Sequence, residues 1–141
     1  MLFGEYYHQL DEKNRMRIPS KLKDELGACY LVKGSNHCLY LLPSETMEIV
    51  LAKVQDVPMF SPAQDTLRAL FSSATKVEED GQGRVMIPAS LREYAGITKD
   101  IVTIGVGTRC EVWSKEHWVE HSTQLNSNFD NIVSELEKYG I

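Results

Sequence analysis

Arg15 and Arg84 each stand four residues after an aspartate, Asp11 or Asp80, and three residues before an Ile-Pro pair. A guanidinium is a permanent cation with a planar fork of donors, matched to a phosphate or to the O6/N7 edge of a guanine. Around Arg15 such chemistry is concentrated. Lys13, Arg15, Arg17, Lys21 and Lys23 place five cations, and no acid, between positions 13 and 23. Affinity for nucleic acid rises steeply with the number of phosphates neutralised, so this segment is the candidate polyanion contact. The corresponding second window, 82 to 92, holds only Arg84 and Arg92.

The whole chain points the other way. Its 141 residues carry 15 Lys+Arg against 20 Asp+Glu, a formal charge of −5, which excludes a protein that coats nucleic acid by bulk charge. The acids are unevenly placed, however. From Glu111 to Ile141 there are six, Glu111, Glu116, Glu120, Asp130, Glu135 and Glu137, against Lys115 and Lys138. The total therefore describes solubility, and the distribution describes the partner.

A second string with chemical potential is His117-Trp118-Val119-Glu120-His121, the H-x-x-E-H spacing of inverted zinc peptidases. Such a site needs a third protein ligand. Beyond Asp130 only Glu135 and Glu137 are on offer, on a short terminal segment, so neither a metal site nor catalysis is expected. His37 beside Cys38 likewise lacks a third group to orient a base. Cys29, Cys38 and Cys110 form no C-x-x-C pair and read as small buried hydrophobes. No cofactor is expected, and no apolar run approaches the ~18 residues of a membrane span.

The elements that must position the cations come in two copies. Leu10 to Gly27 and Glu79 to Gly96 are related by a constant offset of 69 positions, with identities at Asp11/Asp80, Arg15/Arg84, Ile18/Ile87, Pro19/Pro88, Leu22/Leu91 and Gly27/Gly96. Each copy reads as strand, turn, strand and short helix. Asp11-Glu12-Lys13-Asn14 and Asp80-Gly81-Gln82-Gly83 suit hairpin tips, with Asp11 and Asp80 building the turn and Gly81 and Gly83 supplying backbone freedom. The alternation Arg15-Met16-Arg17-Ile18 suits a half-buried strand that Pro19 ends. Gly27 and Gly96 are placed as left-handed helix caps.

More strand-like runs follow, Cys29 to Lys33 with Cys38 to Leu42, and Ile101 to Gly105 with Cys110 to Trp113. Helices are expected from Ser44, with Met47, Val50, Leu51 and Val54 on one stripe, from Ser61-Pro62, and from Ser114. Phe129, Ile132, Val133 and Leu136 form a last stripe at helical spacing. A half of about 40 residues cannot bury its own sheet face, so one shared, barrel-like core is expected.

The doubled pattern Asp-x-x-x-Arg-x-x-Ile-Pro-x-x-Leu-Lys/Arg, closed by Gly, resembles the swapped-hairpin units of the AbrB and SpoVT regulators. Two units in a chain of this length, opening Phe3-Gly4 with Leu10-Asp11-x-Lys13-x-Arg15 close behind, resemble the MraZ family. The resemblance implies an α+β fold in which two AbrB-like swapped-hairpin β units form one pseudo-twofold barrel with flanking helices. It implies a first repeat with its following helix at 1–60, a connecting helix at 61–74, and a second repeat with C-terminal helices at 75–141. It further implies a cytoplasmic, nucleoid-associated transcriptional regulator that binds double-stranded DNA at repeated boxes upstream of the division and cell-wall gene cluster. Self-assembly into a ring-shaped homo-oligomer, with no membrane partner, belongs to the same expectation. The expected DNA contacts are Lys13, Arg15, Arg17, Lys21, Lys23 and Arg84, with Arg15 best placed. The competing role on the same fold is an antitoxin-like protein whose C-terminal segment binds a protein partner. Asn14 departs from the Gly common in the family at that position, and Asn tolerates the left-handed backbone that the turn requires.

Overall fold

A computed structural model describes residues 1–141. In chain order the elements are β1 (Leu2–Gln9), β2 (Arg15–Arg17), α1 (Ser20–Leu26), β3 (Cys29–Lys33), β4 (Leu39–Pro43), α2 (Ser44–Val54), α3 (Ala63–Phe71), β5 (Thr75–Lys76), β6 (Arg84–Met86), α4 (Ala89–Ala95), β7 (Asp100–Gly107), β8 (Cys110–Ser114), α5 (Lys115–Ser127) and α6 (Phe129–Val133). The offset of 69 carries β2 onto β6 and α1 onto α4 residue for residue. The fold is α+β, with an antiparallel sheet.

Each half completes its sheet with strands of the other. The six-stranded order is β1-β7-β8-β4-β3-β5, so the leading strand of the first half pairs with β7 of the second, and β5 of the second half pairs with β3 of the first. Strands β2 and β6 form a separate two-stranded ribbon, centred on Met16↔Val85, which are offset equivalents. The expected barrel is not closed. The outer strands β1 and β5 do not pair, and β5 is only two residues long against eight in β1.

Alternation along the strands divides the apolar residues between two faces. Leu31, Leu39, Leu41, Ile101, Cys110 and Val112 point to the main core, where they meet Met16, Ile18, Val85 and Ile87 from the ribbon and Leu22 and Leu91 from α1 and α4. On the opposite face Val102, Ile104 and Trp113 pack with Trp118 of α5, while Val32 and Leu42 pack with Met47 of α2 and with Leu70 and Phe71 of α3. Close approach of β1 to β7 needs Gly105, where a Cβ would overlap the backbone of Leu2 and Phe3.

All three cysteines are free and buried, and burial pushes their thiols up, to about 11 for Cys29 and Cys110 and about 12 for Cys38. Glu111, the one buried acid, is satisfied by Arg109, whose Nε and Nη2 donate to Oε2 at 3.0 and 2.8 Å, and by Trp113 Nε1, which donates to Oε1 at 3.0 Å.

Local expectations are modified in three places. Gly96 is a left-handed cap (φ 64°, ψ 28°), but Gly27 combines φ 57° with ψ −147°, because the chain there must turn straight into β3. Ser44 does not cap α2; its hydroxyl donates to Ala28 O at 3.0 Å and ties the helix start to the residue before β3. Ser114 does cap α5, accepting from His117 N at 3.1 Å. The final apolar stripe is a five-residue α6 followed by a 3-10 turn over Ser134–Tyr139, and Phe129, Val133 and Leu136 remain exposed. No helix is long and apolar enough to cross a membrane.

Candidate nucleic-acid interface

The two hairpin tips are built alike, to within 0.1 Å in every turn contact. In the first, Asp11 Oδ1 accepts from the backbone N–H of Lys13 and of Arg15, both at 2.9 Å, and Oδ2 accepts from Arg15 Nε at 2.8 Å. In the second, Asp80 Oδ1 accepts from Gln82 N and Arg84 N at 2.9 Å, and Oδ2 from Arg84 Nε at 2.8 Å. Each aspartate thus folds its own turn and holds its own arginine by one edge. Asn14 (φ 59°) and Gly83 (φ 75°) occupy the same left-handed position, closing the turns by donating to Asp11 O and Asp80 O at 3.0 Å. Gly81 has no positive φ, and a Cβ there would meet open space.

Hydrogen bonds to the ionised form lower both carboxyl pKa values. The Arg15 N–H is the foremost cause at Asp11, and the Arg84 N–H at Asp80, whose pKa falls to about 2. The folded chain keeps Asp80 ionised where an unfolded chain would take up a proton, near the ordinary value of 3.8. Its stabilising contribution is complete above that value and is lost as pH falls through 4 towards 2. Acid titration of the melting temperature is expected to show this loss, and Asp80→Asn to flatten it. An unchanged acid limb in the variant would remove Asp80 as its source.

Three contacts join the first copy's cations to the second copy's tip. Arg15 Nη1 lies 3.7 Å from Asp80 Oδ2, Lys23 Nζ lies 2.8 Å from Glu79 Oε2, and Arg17 Nη1 donates to Gln82 O. These contacts change the ranking of the candidate residues. Arg15 and Arg84, with side chains only 21% and 24% exposed, are partly neutralised by Asp11 and Asp80, and Lys23 is paired with Glu79. Lys13, Arg17 and Lys21 are exposed and enter no ion pair. Sequence spacing identified the within-copy Asp-Arg pairs, but nothing in it signalled the links from Arg15, Arg17 and Lys23 to the other copy.

The ribbon gathers the rest. Its inner residues Met16 and Val85 are buried, and Arg15, Arg17, Arg84 and Met86 alternate onto the outer face. The registers Arg15↔Met86 and Arg17↔Arg84 set them in two pairs. Lys13 stands on the adjoining tip, and Lys21 on α1. Three guanidiniums share one face of a short antiparallel ribbon, chemistry suited to an anion, and a two-stranded ribbon is one of the two shapes the DNA major groove admits.

The H-x-x-E-H string lies elsewhere. His121 stacks on Trp113, with ring centroids 5.0 Å apart, and His117 lies 6.2 Å from His37, whose Nδ1 is 3.2 Å from Tyr94 O. Of these imidazoles only His121 packs on the sheet; His37, on the turn between β3 and β4, and His117 are exposed.

A family model described as "MraZ protein, putative antitoxin-like" matches the chain twice, over residues 1–69 and 70–138. The chain belongs to the MraZ family. Proteins named transcriptional regulator MraZ are similar to it over their whole length and its own: 46% identity with that of Clostridium beijerinckii, 43% with that of Clostridium tetani and 38% with that of Syntrophomonas wolfei. Each MraZ repeat holds one tip, one ribbon strand and the short helix that follows it, so the outer face of the ribbon is built by both repeats together.

Proposed function

We propose that this MraZ-family chain is a sequence-specific DNA-binding transcriptional regulator that inserts the β2-β6 ribbon into the major groove. The observation that carries the reading is the outer face of that ribbon, with Arg15, Arg17 and Arg84 together and the free cations Lys13 and Lys21 beside them. Arg17 and the outer edges of Arg15 and Arg84 read bases or grip phosphates, Lys13, Lys21 and Lys23 hold phosphates, and Asp11 and Asp80 set the arginines' directions. Nothing in this role requires catalysis or a cofactor.

The repeats at 1–60 and 75–141, with 61–74 between them, act as one pseudo-twofold unit. The strand order, which exchanges first-half for second-half strands when reversed, supports that symmetry. One unit offers few cations. Several in a ring, each on one of the repeated boxes upstream of the division and cell-wall genes and of its own gene, bind far more tightly through effective concentration. The exposed apolar residues Phe129, Val133 and Leu136 supply a face for contact between subunits. Such a regulator works in the cytoplasm, on the nucleoid.

A gel shift on DNA from upstream of the chain's own gene, with native mass spectrometry alongside, tests the reading. If about six phosphates are neutralised, affinity falls roughly a thousandfold between 50 and 200 mM salt. Salt-insensitive binding would remove the electrostatic interface, and a strict monomer would remove the ring. The same exposed C-terminal stripe favours, as a second reading, an antitoxin-like protein that binds a protein partner. A stable complex with another protein that blocks the DNA shift would support it.

A further inference from the structure

Met86 breaks the charge pattern of the ribbon. Its offset equivalent is Arg17, so the position that carries a guanidinium in the first copy carries a thioether in the second. It is 61% exposed and sits opposite Arg15 in the ribbon register, on the same face as the three arginines. Single exposed apolar residues are common on protein surfaces. One set among arginines on a groove-sized ribbon is in position to read.

We infer that Met86 is a specificity-determining residue whose side chain contacts the C5 methyl of a thymine in the major groove. The inference rests on the ribbon being the DNA-reading element. A thioether cannot neutralise a phosphate, and the apolar feature that base edges present in the major groove is the thymine methyl. Met is long, unbranched and polarizable, so it can follow a groove floor whose depth varies. The two ends of the ribbon then ask for different bases. The Arg17/Arg84 end presents two guanidiniums suited to guanine, and the Arg15/Met86 end presents one guanidinium and one apolar tip. A symmetric backbone thereby reads an asymmetric sequence and fixes the direction in which the chain lies on the duplex.

The test selects duplexes from a randomised pool with the full chain, then replaces each thymine in the selected site by uracil, which pairs alike but lacks the methyl. The wild-type chain is expected to lose about three- to fourfold in affinity at one thymine per ribbon footprint, the worth of one methyl group removed from water. Met86→Ala is expected to bind the thymine and uracil duplexes equally, with an unchanged salt slope, melting temperature and oligomeric mass. Met86→Arg is expected to shift the preference at that position to guanine by roughly tenfold. Equal uracil penalties in the wild type and Met86→Ala, or an unaltered selected sequence with Met86→Arg, would overturn the inference. A changed oligomeric mass in Met86→Ala would overturn it too, by assigning Met86 to a contact between copies. Arg17→Ala in the same assay separates the two levels: if it binds as the wild type does, the ribbon reading itself falls. If it weakens binding while the Met86 variants keep wild-type preferences, only the Met86 inference falls.

Discussion

Arg17→Ala is expected to weaken binding to a cognate duplex by roughly 5- to 150-fold per engaged copy, the range for losing one good arginine-base contact, and to leave the melting temperature nearly unchanged. Arg17 is exposed, and the fold uses it only through its donation to Gln82 O. A surface change of that kind stays within about 0.5 kcal/mol in stability. If Arg17 grips a phosphate instead, the salt slope drops by about one per copy. Arg15→Ala is expected to behave differently. It removes the guanidinium held by Asp11 Oδ2 and the cation 3.7 Å from Asp80, so stability and affinity fall together. Arg15→Lys restores the charge without the planar fork and recovers only part of either. Fluorescence anisotropy over a salt series, with calorimetry on the same samples, separates the two arginines. Wild-type affinity in Arg17→Ala would exclude the ribbon face as the interface.

Residues 1–69 expressed alone are expected to give no folded monomer. Cutting there removes β7 from all eight residues of β1, β5 from β3, and β6 from β2. It also divides the main core, of which ten residues lie before the cut and eight after it. A chain of that size buries only about 60% of the surface its unfolded form exposes, and here most of the covering surface would be absent. The half should show no cooperative thermal transition as a monomer. It should regain one on mixing with residues 70–141, or at concentrations where two copies exchange strands. A monomeric half with native near-ultraviolet dichroism would refute the shared core.

Particular residues show how far local pattern reaches. The tip aspartates and the starts of α1 and α4 at Pro19 and Pro88 depend on contacts within about five residues, and the alternation of Met16 and Ile18 follows the strand period, so all of them could be read along the chain. Gly27 could not, because its ψ is set by where β3 must go. Ser44 had the composition of a helix cap, yet the nearby carbonyl of Ala28 claimed its hydroxyl. The last apolar stripe had helical period, but period alone does not bury a residue, and Phe129, Val133 and Leu136 stay exposed. For the interface the same division holds. The five cations between 13 and 23 were visible as a run, while the pairing that spends Arg15 and Lys23 on the second tip was not.

By itself the sequence determined that one plan is written twice, that five cations crowd positions 13 to 23 of the first copy against two in the matching window of the second, and that each turn carries its own Asp-Arg pair. These follow from short-range hydrogen bonding and from the period of burial, both of which act between neighbours in the chain. Only the tertiary structure decided that the copies exchange strands, that the sheet stays open, and that Arg15, Arg17, Arg84 and Met86 share one face. Strand pairing between residues far apart in the chain satisfies the same backbone groups as pairing nearby. The choice between them is made by the buried area of the whole core, a quantity no local window contains.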